Sequence, residues 1–175
     1  ASEGEQLALI ASSATTPAQV LSLSPQGEVR VHRQTSHLST KKYSLSSPRS
    51  LKWQVKTQSP IQFSCGLYYA PSNPSLEDKT SPPTVIKIHG GPTSQFKADY
   101  HPDTQFLTTR GFAVLELNYR GSSGFGKAYI DCLKSNWGVL DVEDTRLAAD
   151  YLVSGGLADR KRLVLMGGSA GGYTL

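Results

Sequence analysis

Short apolar segments separated by turn residues occupy the first third of the chain. Apolar and polar residues alternate from Gln19 to Leu23 and from Glu28 to His32, and the segment between them has the composition of a hairpin turn. Another apolar segment runs from Leu7 to Ala11. The pattern predicts an antiparallel meander. Because three strands of about five residues cannot enclose a core, we expect them to be the end of a larger all-β unit.

A less regular segment follows. Residues 37–60 are rich in Ser, Thr, Lys and Pro and have weak periodicity, which predicts a connector between two domains. We place the boundary near Ser47, so that residues 1–47 form the end of the all-β unit with its connector and residues 48–175 form a second domain. In that domain Phe63–Tyr69 is a predicted strand, and the four prolines between residues 70 and 83 predict a surface loop.

From Thr84 onward, short apolar strands alternate with helical segments. Strands are predicted at Thr84–Ile88, Phe112–Leu117 and Arg162–Met166. Helices are predicted at Thr104–Thr109, at Lys127–Ser135, and from a cap at Asp141 to a stop at Gly155. This alternation is typical of right-handed βαβ units. The predicted fold class is therefore α/β, with a mostly parallel sheet.

Composition excludes several classes of protein. The 175 residues carry a net charge of +4, and the basic residues are scattered rather than gathered into the stripe that nucleic acid requires. Two cysteines are too few for a disulfide scaffold or a four-thiolate zinc site. No apolar segment approaches the roughly 20 residues of a membrane span. We expect no cofactor, no metal, no nucleic-acid or membrane partner, and a cytoplasmic protein whose chain begins at a cut end.

The strongest chemical signal is Gly167-x-Ser169-x-Gly171, directly after a strand and before a predicted helix. A nucleophile elbow needs this arrangement, because the serine occupies a strained turn whose flanking residues must be small. The alternative is a glycine-rich turn or a phosphate-binding loop. A phosphate loop would end in Lys followed by Ser or Thr, whereas this one continues into Tyr173.

Acyl transfer at a serine also needs hydrogen-bond donors for the developing oxyanion. The backbone amide of Ala170, next to the predicted nucleophile, is one candidate. The second should come from a loop at the end of an adjacent strand. His89-Gly-Gly-Pro92 occupies that place, and we predict the Gly91 amide as the donor.

Four motifs in order resemble the prolyl oligopeptidase family of serine peptidases, in its acylaminoacyl-peptidase and dipeptidyl-aminopeptidase-like branch. They are His89–Pro92, Asn118–Gly126, Asn136–Asp144 and Gly167–Tyr173. The resemblance implies a β-propeller before an α/β-hydrolase domain, a Ser-Asp-His triad in that chain order, and short peptides as substrates. Better-known members use a Tyr hydroxyl as oxyanion donor near the position of His89, so a backbone donor is expected here.

The resemblance also implies that the triad Asp and His lie beyond Leu175, so we expect the 175 residues alone to be inert and poorly stable. We do not assign the role of the base to any of the four histidines of the chain. Each is interpreted as a structural or surface residue; they are His32, His37, His89 and His101. Arg120 and Tyr119 are possible substrate contacts, although Arg120 could instead orient its glycine-rich loop.

The acidic residues of the third motif have two interpretations. Asp141, Glu143 and Asp144 could be metal ligands, but all fall in the first turn of a predicted helix, where negative charge is favourable. We favour capping. For the whole protein, two other functions stay open beside the peptidase. One is a carboxylesterase on the same fold, and the other is a non-catalytic interaction protein with a dead hydrolase domain.

Overall fold

The computed structural model describes residues 2–3, 6–36, 44–55, 61–76 and 80–175. The strands are β1 (Ser2–Glu3), β2 (Gln6–Ser13), β3 (Thr16–Leu23), β4 (Val29–Gln34), β5 (Arg49–Gln54), β6 (Phe63–Tyr69), β7 (Thr84–Ile88), β8 (Ala113–Asn118) and β9 (Leu163–Gly167). The α-helices are α1 (Pro102–Thr108), α2 (Lys127–Asp131), α3 (Leu140–Ser154) and α4 (Ala170–Thr174), and a short 3₁₀ helix covers Pro74–Leu76.

The first four strands form an antiparallel sheet in the order β1-β2-β3-β4. Leu21 of β3 pairs with Leu9 on one side and with Val31 on the other. The sequence therefore placed the three apolar segments of the meander correctly. Every residue of β2 and β4 is exposed, so this sheet buries little apolar surface by itself.

The second sheet has five strands in the order β5-β6-β8-β7-β9. β5, β6 and β8 pair antiparallel, whereas β8, β7 and β9 pair parallel. Every residue of β7 and β8 is buried, which agrees with their mostly apolar sequences; the two charged residues, Lys87 and Glu116, form a buried ion pair with each other. The sheet with its helices confirms the predicted α/β class.

β5 lies inside the segment predicted as a connector. Leu51 and Trp53 alternate with exposed residues and are buried in the α/β core, so a strand forms there despite the polar composition. The prediction of a connector for residues 37–60 is wrong in that part, while residues 37–43, which include His37, and residues 56–60 lie outside the described residues. The domain boundary near Ser47 stays a prediction.

All three predicted helices differ slightly from their predicted bounds. α1 runs from Pro102 to Thr108 and not from Thr104 to Thr109. α2 ends at Asp131, and turns continue to residue 139. α3 begins at Leu140, one residue before the predicted cap, and packs Ala148 and Leu152 into the core. Across the described ranges, no helix combines the length and the apolar character that crossing a membrane would require.

The register of the parallel strands decides where their loops meet. Ile88 at the end of β7 pairs with Leu117 of β8 and with Gly167 of β9. All three strands therefore end at the same edge of the sheet. The loops that follow them, which begin at His89, Tyr119 and Gly168, are brought together there.

Candidate active site

Ser169 lies in the sharp turn between β9 and α4. Its φ is 54° and its ψ is −124°, a backbone conformation that non-glycine residues rarely adopt and that costs about 1–3 kcal/mol. The residue is exposed, and the first helical residue, Ala170, follows it immediately. This is the geometry that a nucleophile elbow needs, because the turn presents the serine hydroxyl beyond the end of the sheet.

The glycines of the motif are required by close backbone contacts. A Cβ on Gly167 would overlap the carbonyl oxygen of Gly171, and a Cβ on Gly171 would overlap the carbonyl oxygen of Ile88 at the end of β7. No other residue type can occupy either position without moving the backbone. The two glycines predicted as elbow residues thus hold the turn against the neighbouring strand.

The loop after β7 packs directly against the elbow. An added Cβ on Gly90 would lie 3.1 Å from Cβ of Ser169 and 3.8 Å from the amide nitrogen of Ala170. Gly91 follows with a φ of +102°, a conformation that favours glycine. Among the described residues, the backbone amides of Gly91 and Ala170 make no hydrogen bond. The two amides predicted as oxyanion donors are therefore both unengaged and lie on segments that flank Ser169.

Arg120 and Tyr119 are fully buried. The Arg120 guanidinium donates to Asp144 at 2.6 Å and 2.9 Å and to Glu143 at 2.7 Å. Burial alone would lower the pKa of Arg120, but the two carboxylates outweigh it and raise that pKa. Both side chains are therefore internal in this structure, and substrate contact by either of them stays a prediction.

The acidic residues of the third motif hold elements together. The Asp141 carboxylate accepts hydrogen bonds from the Gly138 amide at 2.7 Å and from the Thr174 hydroxyl at 2.6 Å. Asp141 therefore reaches backward from the first turn of α3 instead of forming its N-cap, which is Val139. Asp144 and Glu143 bind Arg120. Within the described ranges, no group of three His, Cys, Asp or Glu side chains could hold a metal ion.

His89 has an internal position beside the elbow loop. Its ring stacks on Tyr119 with 4.4 Å between ring centroids, and its Nε2 lies 2.8 Å from the Ser122 hydroxyl. Burial lowers the pKa of His89 from its ordinary value of 6.5, while the Gly90 carbonyl opposes this. These contacts agree with the structural interpretation of this histidine.

Sequence reasoning missed how the second motif supports the loop after β7. Asn118 Oδ1 accepts from the Phe96 amide at 2.8 Å, and Asn118 Nδ2 donates to the Phe96 carbonyl at 3.0 Å. The Tyr119 hydroxyl donates to the Pro92 carbonyl at 2.6 Å. Polar side chains at the end of a buried strand were the available signal, but nothing in the sequence indicates the loop on which they act.

Comparison with known proteins gives the site a context. Residues 98–175 match the model of the prolyl oligopeptidase family. The acylamino-acid-releasing enzyme of Rattus norvegicus is 45% identical over 103 residues, which are 59% of this chain and 14% of that protein.

Solved structures extend the likeness to nearly the whole chain. A puromycin-hydrolyzing peptidase of Mycobacterium tuberculosis has a TM-score of 0.89 and 34% identity, covering 99% of this chain and 26% of that one. A puromycin hydrolase mutant complexed with PGG has a TM-score of 0.85 and 34% identity, with the same coverage of 99% and 26%. The chain thus spans about a quarter of these structures. The likeness confirms the predicted α/β-hydrolase fold preceded by antiparallel propeller strands.

Proposed function

We propose that the chain is part of a serine peptidase with Ser169 as nucleophile, since residues 98–175 match the model of the prolyl oligopeptidase family. The observation that carries the proposal is the backbone of Ser169, whose φ of 54° and ψ of −124° place an exposed serine at a strand-to-helix turn. A protein keeps such strain where the surrounding structure enforces it, and the close packing of Gly167 and Gly171 does so here.

The proposed chemistry is acyl transfer. The Ser169 hydroxyl oxygen adds to the substrate carbonyl carbon, and the electron pair of the C=O bond moves to the oxygen. The amides of Ala170 and Gly91 then donate to this oxyanion. When the oxyanion collapses, the C–N bond breaks and the amine leaves with a proton, so that an acyl-enzyme remains for water to hydrolyse. The base that takes the serine proton and its carboxylate partner are proposed to lie outside residues 1–175.

Short peptides and acylated or aminoacyl amides are the proposed substrates. The rat relative is an acylamino-acid-releasing enzyme, the mycobacterial one hydrolyses puromycin, and the third was complexed with PGG. The antiparallel strands before the α/β unit support the same class, because a propeller beside the site restricts access to short peptides in this family. A cytoplasmic location stays a prediction.

Covalent labelling tests the nucleophile in the full-length parent protein. A fluorophosphonate should label the wild type, since it reacts with an activated serine, and Ser169→Ala should abolish labelling. Ser154→Ala, which removes an exposed hydroxyl at the end of α3, is the matched control and should label like the wild type. Labelling that survives Ser169→Ala would contradict the assignment.

Turnover of matched peptide and ester substrates separates the alternatives. A peptidase should hydrolyse an acylated or free short peptide amide with a kcat/KM that depends on the peptide sequence. Turnover of esters alone would indicate a carboxylesterase. A wild-type protein that neither labels nor turns over either substrate would favour a non-catalytic interaction protein.

A further inference from the structure

The Tyr119 side chain lies beneath the loop that carries Gly91. Its hydroxyl donates to the Pro92 carbonyl at 2.6 Å and lies 3.3 Å from the His89 carbonyl. These two carbonyls flank the pair Gly90-Gly91 on either side. Tyr119 thus holds the chain at the peptide unit just before the one that bears the Gly91 amide, and again two peptide units after it.

One other restraint acts on the peptide unit that bears the Gly91 amide, because its carbonyl, that of Gly90, lies 3.0 Å from Nδ1 of the His89 ring. Gly91 has a positive φ, and two adjacent glycines leave the backbone more conformational freedom than any other pair. Further along the loop, the Ser94 carbonyl accepts from the Ser123 amide and Asn118 binds the backbone of Phe96, while the His89 ring contacts Ser122. Without the Tyr119 hydroxyl, the chain on either side of the Gly90–Gly91 peptide unit would lose a tie, and the N–H of that unit could turn away from the oxyanion formed at Ser169.

The state of the Tyr119 hydroxyl suits this task. Burial, and secondarily the charge of Asp141, raises the pKa of Tyr119 above its ordinary value of 10.0. The hydroxyl therefore stays protonated and remains a donor throughout the range in which a peptidase operates. Its ring is also held in place, because it stacks on His89.

We infer that Tyr119 is a positioning residue of the reaction, whose hydroxyl holds the Pro92 carbonyl so that the Gly91 amide faces the oxyanion formed at Ser169. The inference rests on the proposed function and adds a residue to it. Tyr119 acts through Gly91 and does not touch the substrate. Its loss should therefore weaken binding of the transition state and leave binding of the substrate nearly unchanged.

The test compares Tyr119→Phe with Tyr68→Phe in the full-length parent protein. Both tyrosines are buried and both donate to one backbone carbonyl, which for Tyr68 is that of Leu157 at 2.9 Å, far from the elbow along the fold. One oxyanion donor is worth about 10²–10³-fold in kcat. Partial misalignment should lower kcat by roughly 10-fold in Tyr119→Phe, with KM changed less than about 2-fold.

A second readout follows the oxyanion itself. A peptide boronic acid forms a tetrahedral adduct at a reactive serine, so its affinity should fall in Tyr119→Phe in proportion to kcat/KM. Tyr68→Phe should leave kcat and inhibitor affinity as in the wild type. All assays are run below the thermal transition of the less stable variant, so that loss of folded protein does not lower the measured kcat.

The outcomes separate the two proposals. If Ser169→Ala is inactive while Tyr119→Phe keeps wild-type kcat, or raises KM alone, the role of Tyr119 is overturned and the proposed function stands. If Tyr68→Phe lowers kcat as much as Tyr119→Phe, the effect is general loss of packing and the role is also overturned. If Ser169→Ala retains turnover, the proposed function is wrong and the inference falls with it.

Discussion

At the scale of single residues, the site depends on backbone conformations that few residue types can adopt. Ser169 has a strained φ and ψ, and Gly91 has a φ of +102°. The position of Gly91 is also crowded, since an added Cβ would lie 3.0 Å from Cβ of Ser94. Geometry therefore accounts for the glycine at position 91, whereas Ser169 keeps its side chain in spite of a strained backbone.

Gly91→Val should lower kcat by about 10²–10³-fold while KM changes little, because a β-branched residue cannot keep the positive φ that directs the amide. Gly27→Val is the matched control. Gly27 has a φ of +85° at a hairpin turn with nothing near its Cβ position, so it carries the same backbone strain far from the site. Steady-state kinetics of both variants check the prediction. An increase in KM with unchanged kcat would show that Gly91 shapes the substrate-binding loop and does not donate to the oxyanion.

At the scale of elements, buried polar contacts join β8, α3 and α4 behind the elbow. Arg120 follows β8 and binds Asp144 of α3, while Asp141 of the same helix binds Thr174 of α4. The helix α3 thus ties the segment that supports the Gly91 loop to the helix that follows Ser169. The helix α3 therefore contacts the segments on both sides of the predicted oxyanion site.

Asp144→Ala should destabilise the protein by about 3–5 kcal/mol, because it removes the fully buried carboxylate that pairs with the buried Arg120 guanidinium. Asp150→Ala is the control on the same helix. The Asp150–Arg146 pair is exposed, with 48% and 66% of the side chains accessible, and its loss should cost less than about 1 kcal/mol. Urea unfolding of the parent protein measures both, and equal costs would contradict the structural role of the buried pair.

At the scale of the whole molecule, one buried glutamine joins the antiparallel sheet to the α/β unit. Gln105 of α1 donates to the Ala14 carbonyl at 3.0 Å and to the Ser46 carbonyl at 2.8 Å, and it accepts from the Ser46 amide at 2.9 Å. Ala14 lies in the turn between β2 and β3. The same helix begins just after the loop that carries Gly91. Gln105 therefore links the antiparallel sheet to the element that follows this loop.

Gln105→Ala should speed hydrogen exchange at the Ser46 amide, since that amide loses its acceptor. Thr109→Ala is the control, because the Thr109 hydroxyl bonds to two carbonyls of α1 and to the neighbouring Arg110 side chain, not to Ser46. It should leave exchange at Ser46 unchanged. Exchange followed by mass spectrometry or NMR on the parent protein gives the comparison, and unchanged exchange in Gln105→Ala would show that Gln105 does not hold this junction.

Local sequence determined much of the fold and the outline of the site. The strands β7 and β9 and the alternation of β3 were predictable, because short runs rich in apolar and β-branched residues between turn residues are typical of strands. The elbow was predictable as well, because only glycine fits where Gly167 and Gly171 meet neighbouring backbone. β5 was missed, since its two buried residues, Leu51 and Trp53, stand in a polar segment.

Only the tertiary structure decided what the polar residues do. The sequence presents Asn118, Tyr119 and Arg120 as three adjacent polar side chains. It suggests substrate contact for the last two, with orientation of the glycine-rich loop as an alternative for Arg120. The parallel register places the loop after β7 over Tyr119 and brings α3 beside Arg120, so that both become internal ties. A polar side chain takes its role from partners distant in sequence, and those partners are set by strand order and register, which no local pattern contains.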